Sequence, residues 1–216
     1  MGEKVLVFRN ELLVSLGSFQ GYTLNITKYL SAILHPSNNE FKDRSDVEYD
    51  PVYKQIISYV VLRYKDSIFS YVRGKGIGES RLVGKRALGL GGHVEQGDSK
   101  LSSTNHELYV AASRREVWEE IKIESLFYER IVALLNDDFN DVGRVHFGIL
   151  HIWDLVQPSI VVREKDILEA HFITLADIAK IYCQLEPWSQ IVFDILIKES
   201  RVPPYMATGN ERLDRP

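Results

Sequence analysis

The chain has 216 residues, 45% hydrophobic and 26% charged, with a formal net charge of −4 at pH 7. That length supports one domain with a substantial core, and that charge excludes a broadly basic surface for stable nucleic-acid binding. The lone cysteine, Cys183, excludes an internal disulfide framework and fits a reducing, cytoplasmic setting.

Met1–Phe8 is too mixed in character for a signal peptide, and no stretch approaches the ~20 apolar residues of a membrane helix. Residues 1–54 read as an N-terminal extension packed on a main domain of residues 55–201, with a loose tail from 202 to 216. Tyr22–Leu34 is predicted as a helix burying Leu24, Tyr29, Leu30 and Ile33. His35–Asn39 reads as a loop, and the charged run Phe41–Pro51 as irregular chain. Gln55–Tyr64 and Ser67–Arg73 are predicted as a hairpin turned by Lys65-Asp66. Gly74–Gly78 is a flexible connection, and its glycines carry only a weak hint of a phosphate loop because no helical pattern follows; Arg73 or Lys75 could still reach a substrate phosphate. Arg86–Gly91 is expected as a short strand ending at Gly91-Gly92, followed by a helix centred on Ala111–Ile121.

Further strands are predicted over Tyr128–Leu135, Val145–Leu155 and Ala170–Ile173, with a turn-rich loop over Asn136–Gly143. Thr174 and Asp177 have capping-box spacing and open a helix to about Tyr182. Pro187 suits the first turn of a last helix, which buries Trp188, Ile191, Val192, Ile195 and Leu196. This order of elements predicts an α+β fold, a layered α/β/α domain with a mixed sheet.

The informative stretch is Glu107–Ile123. At about 100° per residue, Glu116, Glu119 and Glu120 share an arc of roughly 100°, and Val110, Val117 and Ile121 form a separate apolar stripe. Three close carboxylates disfavour their own ionisation, and a hard divalent cation relieves that conflict. Arg115 stands four residues before Glu119 and can pair with it. The bland alternative is a solvated acidic face.

The wider pattern resembles the Nudix (MutT-like) box, G-x5-E-x7-R-E-U-x-E-E-x-G-U with U apolar. Glu107, seven residues, then Arg115-Glu116-Val117-Trp118-Glu119-Glu120 match its second part, with Ile123 as the last apolar place. Gly91-Gly92-His93-Val94-Glu95-Gln96-Gly97-Asp98 resembles its opening turn. Asp50-Pro51, Lys54-Gln55 and the run from Gly84-Lys85 to Gly92-His93 are similar to a subgroup described as MutT-like phosphoesterases. Fourteen residues separate Gly92 from Glu107 where the family has five, so either Glu107 or Asp98 fills the first acidic place. Lys122 stands where the family has glycine; its charge can still favour a helix end, so a changed exit is expected.

The resemblance implies a Nudix-like α/β/α sandwich hydrolysing a diphosphate linked to a small, nucleotide-like group, with Mg²⁺ or Mn²⁺ as cofactor. Glu116, Glu119, Glu120 and the Gly91 carbonyl would be metal ligands. Arg115 would hold the carboxylates, and Glu107, Glu116 and Glu119 are the catalytic candidates beside it. The metal would neutralise phosphate charge and activate a water. Glu164 and Glu169 are candidates for a later carboxylate, Glu169 with a structural role favoured. Many relatives dimerise, so a homodimer is compatible.

Other residues have plainer readings. His146 and His151, five apart on a strand, point to opposite faces and make a shared zinc site improbable. His93 could touch substrate. Cys183 reads as a small buried residue. Tyr59, Tyr71, Phe147 and Trp153 suit either a core or a base-stacking wall. A diphosphate isomerase of the same fold would need a cysteine nearer the box. A non-catalytic sensing module would be expected to have lost box glutamates, and all three remain.

Overall fold

The computed structural model describes residues 2–76, 80–101 and 104–201. Its elements in chain order are β1 (Lys4–Arg9), α1 (Asn10–Ser15), β2 (Gly21–Thr23), α2 (Ile26–Ile33), β3 (Asn39–Asp43), α3 (Arg44–Val47), β4 (Tyr53–Tyr64), β5 (Ser67–Arg73), β6 (Arg86–Ala87), α4 (Asn105–Glu120), β7 (Ile121–Ile123), β8 (Phe127–Asn136), β9 (His146–Leu155), β10 (Ile160–Val162), β11 (Ile167–Thr174), α5 (Leu175–Lys180) and α6 (Pro187–Arg201). The main sheet runs β11-β5-β4-β9-β8-β2, with β1 bridging β3 to β4 and β6 pairing β5. β4 and β9 are parallel, and their neighbours pair antiparallel. A separate two-stranded sheet joins β7 to β10.

Strand alternation sorts the core onto two faces. Ile56 of β4 and Phe147 and Ile149 of β9 meet Leu13 of α1, Tyr29, Leu30 and Ile33 of α2, and Leu108, Tyr109 and Ala112 of α4. On the other face, Tyr59 and Val61 of β4 and Leu150 and Ile152 of β9 meet Ile178 of α5 and Val192, Ile195 and Leu196 of α6. The result is the expected α/β/α sandwich around a mixed sheet. Tyr71, Phe147 and Trp153 are fully buried core residues, which removes them as a base-stacking wall.

Four expectations change. Tyr22 and Thr23 pair with β8 in strand β2, so helix α2 begins only at Ile26 and Leu24 is exposed. The charged run over 41–51 is ordered: β3 pairs along β1, and α3 follows. The strand over 86–91 shortens to Arg86–Ala87, with Leu90 making an isolated bridge to Val60. Cys183 is exposed, because α5 stops at Lys180 and a tight turn over Tyr182–Gln184 carries the cysteine outward. Ile77, Gly78 and the tail from 202 lie outside the described residues.

His146 and His151 do face opposite sides of the sheet. His151 stacks on Tyr109 at 5.6 Å between ring centroids, with Nε2 2.6 Å from the Tyr109 hydroxyl. Burial, aided by nearby His106, pushes the His151 pKa down to about 4. The folded state therefore refuses a proton that the unfolded chain accepts below about 6.5. Stability is full above about pH 6.5 and falls as pH drops toward 4, by about 3 kcal/mol. Urea unfolding at pH 7.5 and 4.5 measures the fall, and His151→Gln is expected to flatten it by that amount. An unchanged pH dependence in the variant would refute the assignment.

Candidate active site

Helix α4 starts at a capping box. Thr104 accepts from the Glu107 backbone N–H, and the Glu107 carboxylate accepts from the Thr104 N–H. Glu107, a catalytic candidate by sequence, is thus placed at the helix N-terminus. Asp98 stands instead in the cluster, where its two oxygens take Arg115 Nε at 2.7 Å and Nη2 at 3.0 Å. Asp98, which keeps the turn spacing, meets the arginine, and Glu107, which keeps the helix spacing, starts the helix.

Arg115 organises the site. Nη1 donates to Glu116 Oε1 at 2.9 Å and to Glu119 Oε2 at 3.2 Å, and Nη2 donates to the His93 carbonyl at 3.1 Å. Glu95 lies 3.4 Å away. These carboxylates hold the guanidinium far above its ordinary pKa, against the burial that opposes charge. Glu116 is pushed up to about 7 by burial, with Arg115 opposing and Glu119 and Glu95 adding repulsion. Glu120 is pushed up to about 8 by burial, with Arg73 and a Gly91 N–H opposing and Glu116 and Glu164 adding repulsion. Among the described residues its buried Oε2 has no hydrogen-bond partner.

Among the described residues no group of three or more His, Cys, Asp or Glu side chains stands arranged to hold a metal ion. The glutamates form an open, all-oxygen set, in which Arg115 draws Glu116 and Glu119 toward itself. The orphaned Oε2 and the crowding that disfavours ionisation of Glu116 and Glu120 are what a hard divalent cation would satisfy, so the residues fit such an ion.

The turn before the helix depends on two glycines. Gly91 has φ +132°, and a Cβ there would collide with the Ser58 carbonyl. A Cβ on Gly92 would stand 2.5 Å from Glu116 Oε2. Gly91→Ala is expected to cost roughly 2–3 kcal/mol, combining left-handed strain with displacement of β4. That corresponds to about 4–12 °C in a melting curve. Gly92→Ala should instead leave melting nearly unchanged and lower activity, because the flexible Glu116 side chain yields first. Equal melting of the two variants would contradict this division.

The helix exit does change as expected. Without the family's glycine, Ile121 adopts φ −143°, ψ 163°, and the chain enters β7 directly. Lys122 is exposed and pairs with Glu124. The last helical carbonyl, on Glu120, accepts the N–H groups of Arg163 and Glu164. Glu169 pairs with Arg86 at 2.7 Å, a structural contact.

A cavity of 290 Å³ opens beside these carboxylates. Its other walls include Glu186 and Trp188, which the sequence did not place there, and residues of the turn-rich loop over Asn136–Gly143. Glu186 is fully buried and binds Arg73 Nε at 2.6 Å and the Tyr59 hydroxyl at 2.7 Å. Trp188 meets Tyr59 edge-on. Asn140, Val142 and Gly143 arrive from the loop after β8, which buried Lys54 fastens through Asp138 at 2.5 Å and the Gly143 carbonyl at 2.9 Å. A charged residue inside the apolar context of Leu185 and Trp188 was the available signal for Glu186.

No family model matches the chain. The crystal structure of Tm1382, described as a candidate Nudix hydrolase, is 30% identical with a TM-score of 0.74, covering 91% of this chain and 99% of that one. The chain belongs to the Nudix hydrolase family. Protein YmaB of Bacillus subtilis (strain 168) is 40% identical over 158 residues, 71% of this chain and 76% of YmaB. The Nudix domain of Shewanella oneidensis NrtR, solved with ADP ribose, is 10% identical at TM-score 0.50, over 69% of this chain and 89% of that one, a likeness of fold alone. The chain is thus a Nudix-type pyrophosphohydrolase, and its α4 cluster and Gly-Gly turn stand where the sequence resembles that family's box.

Proposed function

We propose that this Nudix enzyme uses Mg²⁺ or Mn²⁺ to hydrolyse the pyrophosphate bond of a nucleoside diphosphate derivative or a similar small phosphorylated compound. The observation that carries the reading is the open carboxylate set on α4, with one buried oxygen of Glu120 unpartnered beside a 290 Å³ cavity. Glu116, Glu119, Glu120 and the Gly91 carbonyl would hold the ion, which when bound neutralises phosphate charge and activates water for attack on phosphorus. Arg115 fixes the rotamers of Glu116 and Glu119, and Asp98 fixes Arg115. Arg73, anchored by Glu186, supplies a positive charge to the cavity wall. Burial around Glu116 and Glu120 limits competing water and strengthens these electrostatic effects.

The isomerase alternative loses support, since Cys183 is not among the residues lining the cavity. The test is pyrophosphate-bond cleavage, read as the phosphomonoester products separated by chromatography, across a panel of nucleotide derivatives with Mg²⁺, with Mn²⁺ and with chelator, for the wild type and Glu119→Gln. We expect metal-dependent turnover that drops at least 100-fold in the variant, the scale of losing one main electrostatic contributor, about 10²–10³. Absence of turnover across the panel, with metal binding unaltered in the variant, would favour a binding module instead.

A further inference from the structure

His93 lies in the Gly-Gly turn, is buried, and lines the cavity. A chain of hydrogen bonds fixes which ring nitrogen carries the proton. The carbonyl of Val47, at the end of α3, accepts from Gln55 Nε2 at 3.4 Å. The opposite amide orientation would set the Gln55 oxygen against that carbonyl, two acceptors face to face. Gln55 Oε1 therefore points at His93, whose Nε2 stands 2.8 Å away. Because Oε1 can only accept, His93 Nε2 must donate. In a neutral ring the lone pair then resides on Nδ1. Among the described residues Nδ1 has no hydrogen-bond partner and is not a sealed atom, and His93 lines the cavity.

We infer that His93 Nδ1 is a specificity-determining acceptor that takes an O–H or N–H donor from the organic group carried by the diphosphate. This deepens the hydrolase reading and rests on it only for the identity of the diphosphate. A bare acceptor beside carboxylates does not attract a phosphate oxygen. It suits a sugar hydroxyl or a nucleobase amine, the parts of a nucleotide that donate. A site that presents a buried acceptor also rejects analogues lacking the donor, because the acceptor is then desolvated and unpaired.

Two measurements on the full chain test the inference. The first is ¹⁵N NMR of the histidine rings, alone and with each member of the nucleotide panel plus Mg²⁺, whether hydrolysed or not. The expected result is a proton on His93 Nε2 and a bare Nδ1 whose resonance moves when a donor-bearing nucleotide is added. A proton on Nδ1 overturns the inference, and so does an Nδ1 resonance that no member moves. A shift without turnover would leave the inference standing and defeat the hydrolase reading, so the two failures are separable.

The second measurement compares binding of ADP, 2′,3′-dideoxy-ADP and purine riboside 5′-diphosphate, the last lacking the amine. One analogue should bind about 10–100-fold more weakly than ADP, the scale of an unpaired buried acceptor, about 1–3 kcal/mol. A weaker dideoxy compound identifies a ribose hydroxyl, and a weaker purine riboside identifies the base amine. His93→Phe should erase that difference, and His93→Gln, which keeps an acceptor, should restore part of it. Equal binding of all three nucleotides to the wild type, or a discrimination that survives in His93→Phe, overturns the inference.

Discussion

Glu120→Gln is expected to lower metal-dependent turnover by about 10²–10³ and to stabilise the metal-free protein. The two effects share one cause. Burial and the neighbouring Glu116 and Glu164 push the Glu120 pKa up to about 8. An unfolded glutamate ionises near 4.5. Between those values the unfolded chain gains from ionisation that the folded chain forgoes, so stability falls as pH rises from about 4.5 to about 8. At pH 7 the deficit is about 3 kcal/mol. Glutamine removes the titration, keeps the shape and leaves the Gly91 N–H an acceptor. Urea unfolding in chelator at pH 7 should therefore show a gain of about 1–3 kcal/mol, part of the deficit being lost to imperfect amide packing.

Turnover should move the other way. A carboxylate oxygen facing the ion becomes a neutral amide, and the rate should drop by about 10²–10³, with a parallel loss of Mg²⁺ affinity by calorimetry. The pairing of outcomes is diagnostic. A solvated acidic face would lose neither activity nor metal affinity, and a structural glutamate would lose stability. A variant that is both less stable in chelator and fully active would remove Glu120 from the site.

Much of this site was legible because the residues that carry it are close in sequence. Arg115, Glu116, Glu119 and Glu120 sit on one helix, and helical spacing alone brings them together. The long strands β4, β8 and β9 and the last helix α6 were legible for a similar reason, since each is long enough for its periodicity to outweigh local exceptions. What was hidden depended on distant partners. β3 is charged and short, and it becomes a strand because β1 offers it a ladder. β2 is a strand because β8 has a free edge at Leu134–Asn136. Spacing could not choose between Asp98 and Glu107, as each keeps half of the family pattern; the reach of Arg115 and the capping box at Thr104 decide where each is placed. Glu186 was hidden most deeply, because its partner Arg73 lies 113 residues earlier.

That distant pair supports the largest stability effect expected here. Glu186 is 1% exposed and Arg73 8% exposed, with Nε donating to Oε2 at 2.6 Å. The Tyr59 hydroxyl donates to the same carboxylate at 2.7 Å. Glu186→Leu would leave a guanidinium buried without its counter-charge and leave the Tyr59 hydroxyl only Ser189 Oγ, at 2.7 Å. The cost should be about 3–5 kcal/mol, or roughly 6–20 °C in a melting curve. Arg73→Met alone should cost a similar amount by stranding the carboxylate. The pair together, Arg73→Met with Glu186→Leu, should recover much of either loss, because two fitted apolar side chains replace two desolvated ions. A double variant as unstable as the sum of the singles would show that packing, not charge, set the cost. Activity separates the structural role of the pair from its role in the cavity. Arg73 stands close enough to Glu120 to hold down its pKa, and it lines the cavity. The recovered double variant should therefore be well folded and still turn over substrate at least about 10-fold more slowly, the loss of one charge that stabilises developing phosphate charge. Full activity in the folded double variant would confine Arg73 to holding α6 against the sheet.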